Sequence, residues 1–143
     1  MATLYLLCGL PGAGKTSLAK RLEQERSALR FTPDDWITAL GIDVFDEDKR
    51  ATVEAMQWSL AERALSLGAS VVIDFGVWSR QERDRFRMRA EAVGANVELH
   101  FLDVPRHELW TRLTRRGGRL PSEEVFDYWC NELFERPSAD EFQ

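Results

Sequence analysis

The stretch that decides the fold reads Leu4-Tyr5-Leu6-Leu7-Cys8-Gly9-Leu10-Pro11-Gly12-Ala13-Gly14-Lys15-Thr16-Ser17-Leu18. From Gly9 to Thr16 it fits G-x-x-x-x-G-K-[ST], and each fixed position has a physical reason. Glycines at 9, 12 and 14 let the backbone curl until successive N–H groups converge on phosphate oxygens, a turn that side chains would obstruct. Lys15 has the reach for a β or γ phosphate, and the Thr16 hydroxyl suits Mg²⁺. A helix starting there also points the positive end of its dipole at the anion. The flanks supply the context that the pattern needs. Leu4 to Cys8 is apolar without alternation, as in a parallel strand buried on both faces. Leu18, Ala19 and Leu22 then recur at helical spacing. The expected ligand is a nucleoside triphosphate with Mg²⁺, held by Gly9, Leu10, Pro11, Gly12, Ala13, Gly14, Lys15, Thr16 and Ser17. ATP is expected over GTP, because the guanine motif N-K-x-D does not occur in the sequence.

Outward from this stretch, short apolar runs alternate with helical ones, which predicts an α/β fold with a mostly parallel sheet. Strands are expected near 3–8, 29–32, 70–75 and 97–103. Helices are expected over 15–26, 47–67, 79–93, 105–116 and 122–135. Gly68, Gly94 and the pair Gly117-Gly118 follow helical runs and read as stops. A chain of 143 residues with 44% hydrophobic content is expected to form one domain, over 1–136, with a loose tail over 137–143. Cys8 and Cys130 lack metal-binding spacing and read as packed thiols in a reducing cytoplasm. No segment approaches the length of a membrane span, and no obligate protein partner is evident. A net charge of −5 argues against broad attraction to nucleic acid.

Three further groups of residues carry chemistry. Thr32-Pro33-Asp34-Asp35-Trp36 follows the second strand and predicts a short helix, with Thr32 at its N-cap and Pro33 at its first position. Acids in a first turn are favoured by the helix dipole. In an open α/β sheet, however, ligands bind outside the carboxyl ends of the strands, where either aspartate can accept a proton from an attacking hydroxyl. Asp74 ends Val71-Val72-Ile73-Asp74, where an acid can face Mg²⁺, and Phe75 follows it instead of a water-activating glutamate. That favours transfer to a bound acceptor over hydrolysis. Arg112 and Arg116 are four apart on the helix expected over 105–116, so they share a face and can bracket a transferring phosphoryl group.

With these residues in hand, GLPGAGKT, PDDW, VVIDFGVWSRQER and LDVPRHELWTRLTRRG resemble, in order and spacing, the small P-loop kinases of the AAA_33 or zeta-toxin-like type. Among these they look most like the kinase domain of phage-type polynucleotide 5′-kinases. The resemblance covers nearly the whole chain. It implies the P-loop NTPase fold, a doubly wound and mostly parallel sheet of four to five strands with flanking helices and an arginine-bearing lid. It maps the nucleotide loop to Gly9–Thr16, the catalytic base to Asp34 and the phosphate-contacting arginines to Arg112 and Arg116. With the residue reading above, the expected catalytic set is Lys15, Asp34, Arg112 and Arg116, with Thr16 and Asp74 at the metal. The implied activity is transfer of the γ-phosphate of ATP to a hydroxyl. Polynucleotide kinases of this type carry an arginine three residues after the base, where this chain has Ile37. The expected acceptor is therefore a small neutral or cationic molecule in a pocket of Asp34, Asp35, Trp36, Ile37 and Trp78, with nucleic acid disfavoured. A regulatory module that binds ATP without transferring phosphate is the alternative of another class.

Overall fold

A computed structural model describes residues 1–142. In chain order the elements are β1 (Thr3–Cys8), α1 (Lys15–Glu25), β2 (Leu29–Phe31), α2 (Pro33–Ala39) and α3 (Glu47–Ser66). They continue with β3 (Val71–Gly76), α4 (Arg80–Ala92), β4 (Asn96–Phe101), α5 (Arg106–Arg116) and α6 (Glu123–Tyr128). The four strands form one parallel sheet in the order β2-β3-β1-β4, with β1 at the centre.

The unbroken apolar character of β1 has its cause in this position. Leu4, Leu6 and Cys8 point to one face of the sheet, where Ile73, Leu99 and Phe31 join them against Trp58, Ala61 and Leu65 of α3 and Phe86 and Ala90 of α4. Tyr5 and Leu7 point to the other face and pack with Val72 against Ala19 and Leu22 of α1. Period-two alternation therefore buries both sides of the strand. A third apolar cluster, built on Leu10, Ala13, Leu109, Leu113 and Phe126, ties the glycine loop to α5 and α6.

Two expectations fail near the C-terminus. The helix expected over 122–135 ends at Tyr128 and opens into a π turn over Trp129–Leu133. Phe134 donates its N–H to the carbonyl of Trp129 at 3.0 Å, and Glu135 donates to the carbonyl of Trp78 at 2.8 Å. The backbone leaves the helix to bond to the loop after β3. Residues expected as a loose tail are also docked: Ala139–Phe142 form a 3₁₀ turn with Glu141 buried. The cause is a charge inside the fold, since Glu141 pairs with the buried guanidinium of Arg83. Residue 143 lies outside the described residues. Among those described, no helix is long and apolar enough to cross a membrane.

Candidate active site

The glycine loop leaves the carboxyl end of β1 and closes directly into α1. Gly12 takes φ +90°, and a Cβ there would lie 3.0 Å from the Leu109 carbonyl and 3.2 Å from Leu113 Cγ. The position is closed to larger residues by both conformation and space. Lys15 folds back across the loop, its Nζ donating to the Leu10 carbonyl at 3.3 Å. Burial holds its ammonium below the usual lysine range, the charges of Asp74 and Asp34 oppose that, and the charge of Arg116 adds to it. A desolvated cation whose bonded partner is a neutral carbonyl favours the arrival of an anion.

Asp74 lies on the same face of β3 as Val72, the face that α1 covers, so it meets the first turn of that helix. The β1–β3 register slips between Leu6 and Cys8, so the irregularity falls at Asp74 and Phe75 of β3. Asp74 Oδ2 accepts from the Thr16 hydroxyl at 2.7 Å and from the Thr32 hydroxyl at 3.1 Å. Thr32 sits at the expected N-cap position of α2, yet its hydroxyl makes no capping bond. It is drawn to Asp74 instead, and it also accepts from Arg30 at 2.8 Å. Burial raises the carboxyl of Asp74, and the two hydroxyl bonds and the charge of Lys15 pull against that rise. The hydroxyl of Thr16 beside this carboxylate is a hard oxygen pair. It fits Mg²⁺, which takes one or two protein oxygens and completes its shell with phosphate and water.

The paired aspartates separate once α2 is in place. Asp35 turns back to β2 and pairs with Arg30 at 2.7 Å. Asp34 turns toward α3, where it accepts from Arg50 at 2.5 Å, and its side chain is 66% exposed. One turn further along α3, burial pushes the Glu54 carboxyl up to about 7, Arg50 opposes the rise, and Glu82 and Asp34 add to it. Arg50, Glu54 and Gln57 recur at helical spacing on one face of α3. Gln57 is fully buried, and its amide has no hydrogen-bond partner among the described residues.

The titration of Glu54 has a checkable consequence. The folded protein keeps this proton from the ordinary value of 4.5 up to about 7. Its contribution to stability is therefore full below the lower value and is lost as pH rises through the upper one. Glu54→Gln is expected to leave the thermal midpoint unchanged near pH 4 and to raise it above that of the unsubstituted protein at pH 8, by on the order of 1–3 kcal/mol in stability. Thermal melts of both proteins across this range check it. Parallel pH profiles would contradict it.

On α5, Arg112 donates to the Gly12 carbonyl at 3.4 Å and pairs with Glu108 at 2.7 Å. Arg116 is exposed on the same face, close enough for its charge to act on Lys15. Beyond the helix, Arg119 pairs with Asp43 at 2.6 Å and lies 4.9 Å from the Phe45 ring centroid, so the segment after α5 leans toward the α2–α3 connection.

Two members of the acceptor pocket expected from sequence lie elsewhere. Ile37 is 0% exposed and belongs to the buried face of α2, so its side chain meets the interior. Trp78 donates its indole N–H to the Gly9 carbonyl at 3.1 Å and packs on Trp129, which puts it behind the glycine loop. Arg50, Glu54 and Gln57 were not singled out by the sequence reading. Their signal was helical spacing alone, which an ordinary charged helix face shares.

The glycine loop, the strand-end carboxylate and the arginine-bearing helix define a P-loop α/β domain, and the chain belongs to the AAA_33 family of AAA domains, whose model matches residues 4–135. A search of curated proteins returns no match. Among solved structures the chain is similar to a gluconokinase from Sinorhizobium meliloti 1021, with 20% identity and a TM-score of 0.65 over 97% of this chain and 77% of that one. It is similar to a sugar kinase from Janibacter sp. HTCC2649, with 21% identity and a TM-score of 0.69 over 98% and 82%. A chain of the Pnkp1/Rnl/Hen1 RNA repair complex matches with 23% identity and a TM-score of 0.73, over 92% of this chain and 44% of that one. At these identities the likeness establishes the shared fold.

Proposed function

We propose that the protein is an ATP-dependent kinase that moves the γ-phosphate of Mg-ATP to a hydroxyl of a small molecule. The observation that carries this reading is Asp34: an exposed carboxylate at the carboxyl end of β2, whose charge acts on both Lys15 and Asp74. A pure nucleotide sensor has no use for a base beside its phosphate site. The loop amides and Lys15 hold the β and γ phosphates. Thr16 and Asp74 hold Mg²⁺, which when bound neutralises charge on the phosphate oxygens. Asp34 orients the acceptor hydroxyl and takes its proton as that oxygen attacks. Arg112 and Arg116 stabilise charge on the phosphoryl group in flight. Two free thiols fit action in the cytoplasm.

Glu54 and Glu82 favour an acceptor with several hydroxyls or an amine, since such groups bond to carboxyl groups. Arg50 supports a second reading, a polynucleotide 5′-hydroxyl kinase. Its guanidinium at Asp34 supplies, from α3, a cation for an acceptor phosphate that Ile37 cannot provide. The test is ADP release from Mg-ATP across pooled polyols, aminoglycoside-like amines and 5′-hydroxyl oligonucleotides. Acceptor-dependent release with a polyol or amine supports the first reading, and release with oligonucleotides alone transfers support to the second. ATP binding with no acceptor-dependent release from any pool would favour a regulatory module.

A further inference from the structure

The largest side chain wholly withdrawn from solvent is Arg83 of α4, a charged residue in a position where charge is costly. Its Nε donates to Glu141 Oε1 at 2.7 Å, and the two side chains are 0% and 1% exposed. Its Nη1 donates to the carbonyls of Val77 at 2.9 Å and Trp78 at 3.0 Å, and lies 3.7 Å from Cys8 Sγ. Glu141 also accepts from the Ser138 amide at 2.8 Å.

The carbonyls that Arg83 holds belong to a segment bonded twice to the start of the glycine loop. Gly9 donates its N–H to the Gly76 carbonyl at 3.1 Å and accepts the Trp78 indole N–H at 3.1 Å. Gly76 takes φ +91°, and a Cβ there would lie 3.0 Å from the Trp78 indole nitrogen. Val77 takes φ +38°, a left-handed conformation that a β-branched side chain adopts only under constraint. Cys8 adds a bond from its thiol to the Val77 carbonyl at 3.5 Å, and burial pushes that thiol up to about 11, so it stays protonated. A strained turn is thus held by carbonyl bonds from Arg83, and Arg83 is held by Glu141. The family match ends at residue 135, so the carboxylate that anchors the arrangement lies outside the matched stretch.

We propose that Arg83 and Glu141 are positioning residues for the nucleotide loop: the C-terminal 3₁₀ turn fixes Arg83, Arg83 fixes the Val77-Trp78 turn, and Trp78 fixes the Gly9 peptide. This rests on reading Gly9–Thr16 as the ATP-binding loop. A buried ion pair adds little net stability compared with apolar residues of similar volume. What an apolar pair cannot reproduce is the pair of bonds to the Val77 and Trp78 carbonyls. A loop anchored on both its N–H and its C=O presents the following amides to phosphate already ordered, and ordering them on binding would weaken affinity.

The difference between bonds and packing gives the test. Three variants are compared with the unsubstituted protein: Glu141→Gln, the double replacement Arg83→Met with Glu141→Leu, and Asp140→Asn as a control that removes an exposed partner of Arg80 in the same turn. The readouts are amide hydrogen exchange over residues 9–16 and over β4 and α3, thermal midpoint, and Mg-ATP affinity. The apolar double variant is expected to lower the midpoint modestly, through the lost bonds to the Val77 and Trp78 carbonyls and the Ser138 amide, while its loop exchanges about tenfold faster, well beyond any change in β4 and α3, and binds Mg-ATP about tenfold more weakly. Glu141→Gln is expected to shift the same way by a smaller factor, and Asp140→Asn not at all. Unchanged loop exchange in the double variant overturns the proposal, as does acceleration spread equally over all elements. If the unsubstituted protein itself fails to bind Mg-ATP, the nucleotide reading falls, and loop exchange still decides whether the clasp orders Gly9–Thr16.

Discussion

Lys15→Ala is expected to abolish Mg-ATP turnover, by about 10³-fold or more, while the protein stays folded. The side chain belongs to no apolar cluster, and its hydrogen bond goes to the Leu10 carbonyl of its own loop. Removing it therefore leaves β1 and α1 packed as they are. What it takes away is the cation proposed to face the phosphates, in a place where burial already works against its charge. Stability is expected to hold or to rise slightly, because a desolvated ammonium has gone. ADP release with thermal melting checks both halves. Turnover within tenfold of the unsubstituted protein would remove Lys15 from the mechanism, and a collapsed melt would show a structural role.

Asp34→Asn is expected to lower turnover by about 10²–10⁴-fold with Mg-ATP affinity changed only a few-fold, because asparagine keeps the shape and cannot take a proton. Asp35→Asn is expected to do far less. Its carboxylate is tied to Arg30 on β2, and losing one partly exposed ion pair costs at most about 1 kcal/mol. The comparison separates a chemical role from the preference for acids in a first helical turn, which both residues satisfy equally. If the two variants trade places, the acceptor lies on the Arg30 side of α2.

That contrast also shows what the sequence made legible. The glycine loop and its flanks were readable because every constraint is local: the curl, the strand before it and the helix after it lie in consecutive residues. Asp74 was readable because a strand end is a sequence feature. The partners of Asp34 and Asp35 were not, since Arg30 and Arg50 come from separate elements and only the packing of α2 against α3 decides which acid meets which arginine. Ile37 misled for the same reason. Its distance from Asp34 along the chain fixes its place on the helix, but not whether that face meets the acceptor or the core. Composition alone made residues 137–143 look loose, while Glu141 is held by an arginine 58 residues away in the chain.

The proposed reaction turns on one event, the arrival of the γ-phosphoryl group on an acceptor hydroxyl. The most direct measurement is mass spectrometry of an acceptor from the ADP-release screen after incubation with protein and Mg-ATP. The expected result is an acceptor carrying one added phosphoryl group, formed in step with ADP and lost when Asp34→Asn replaces the unsubstituted protein. ATP bound but unconsumed, or cleaved to ADP and free phosphate with every acceptor unchanged, would contradict it.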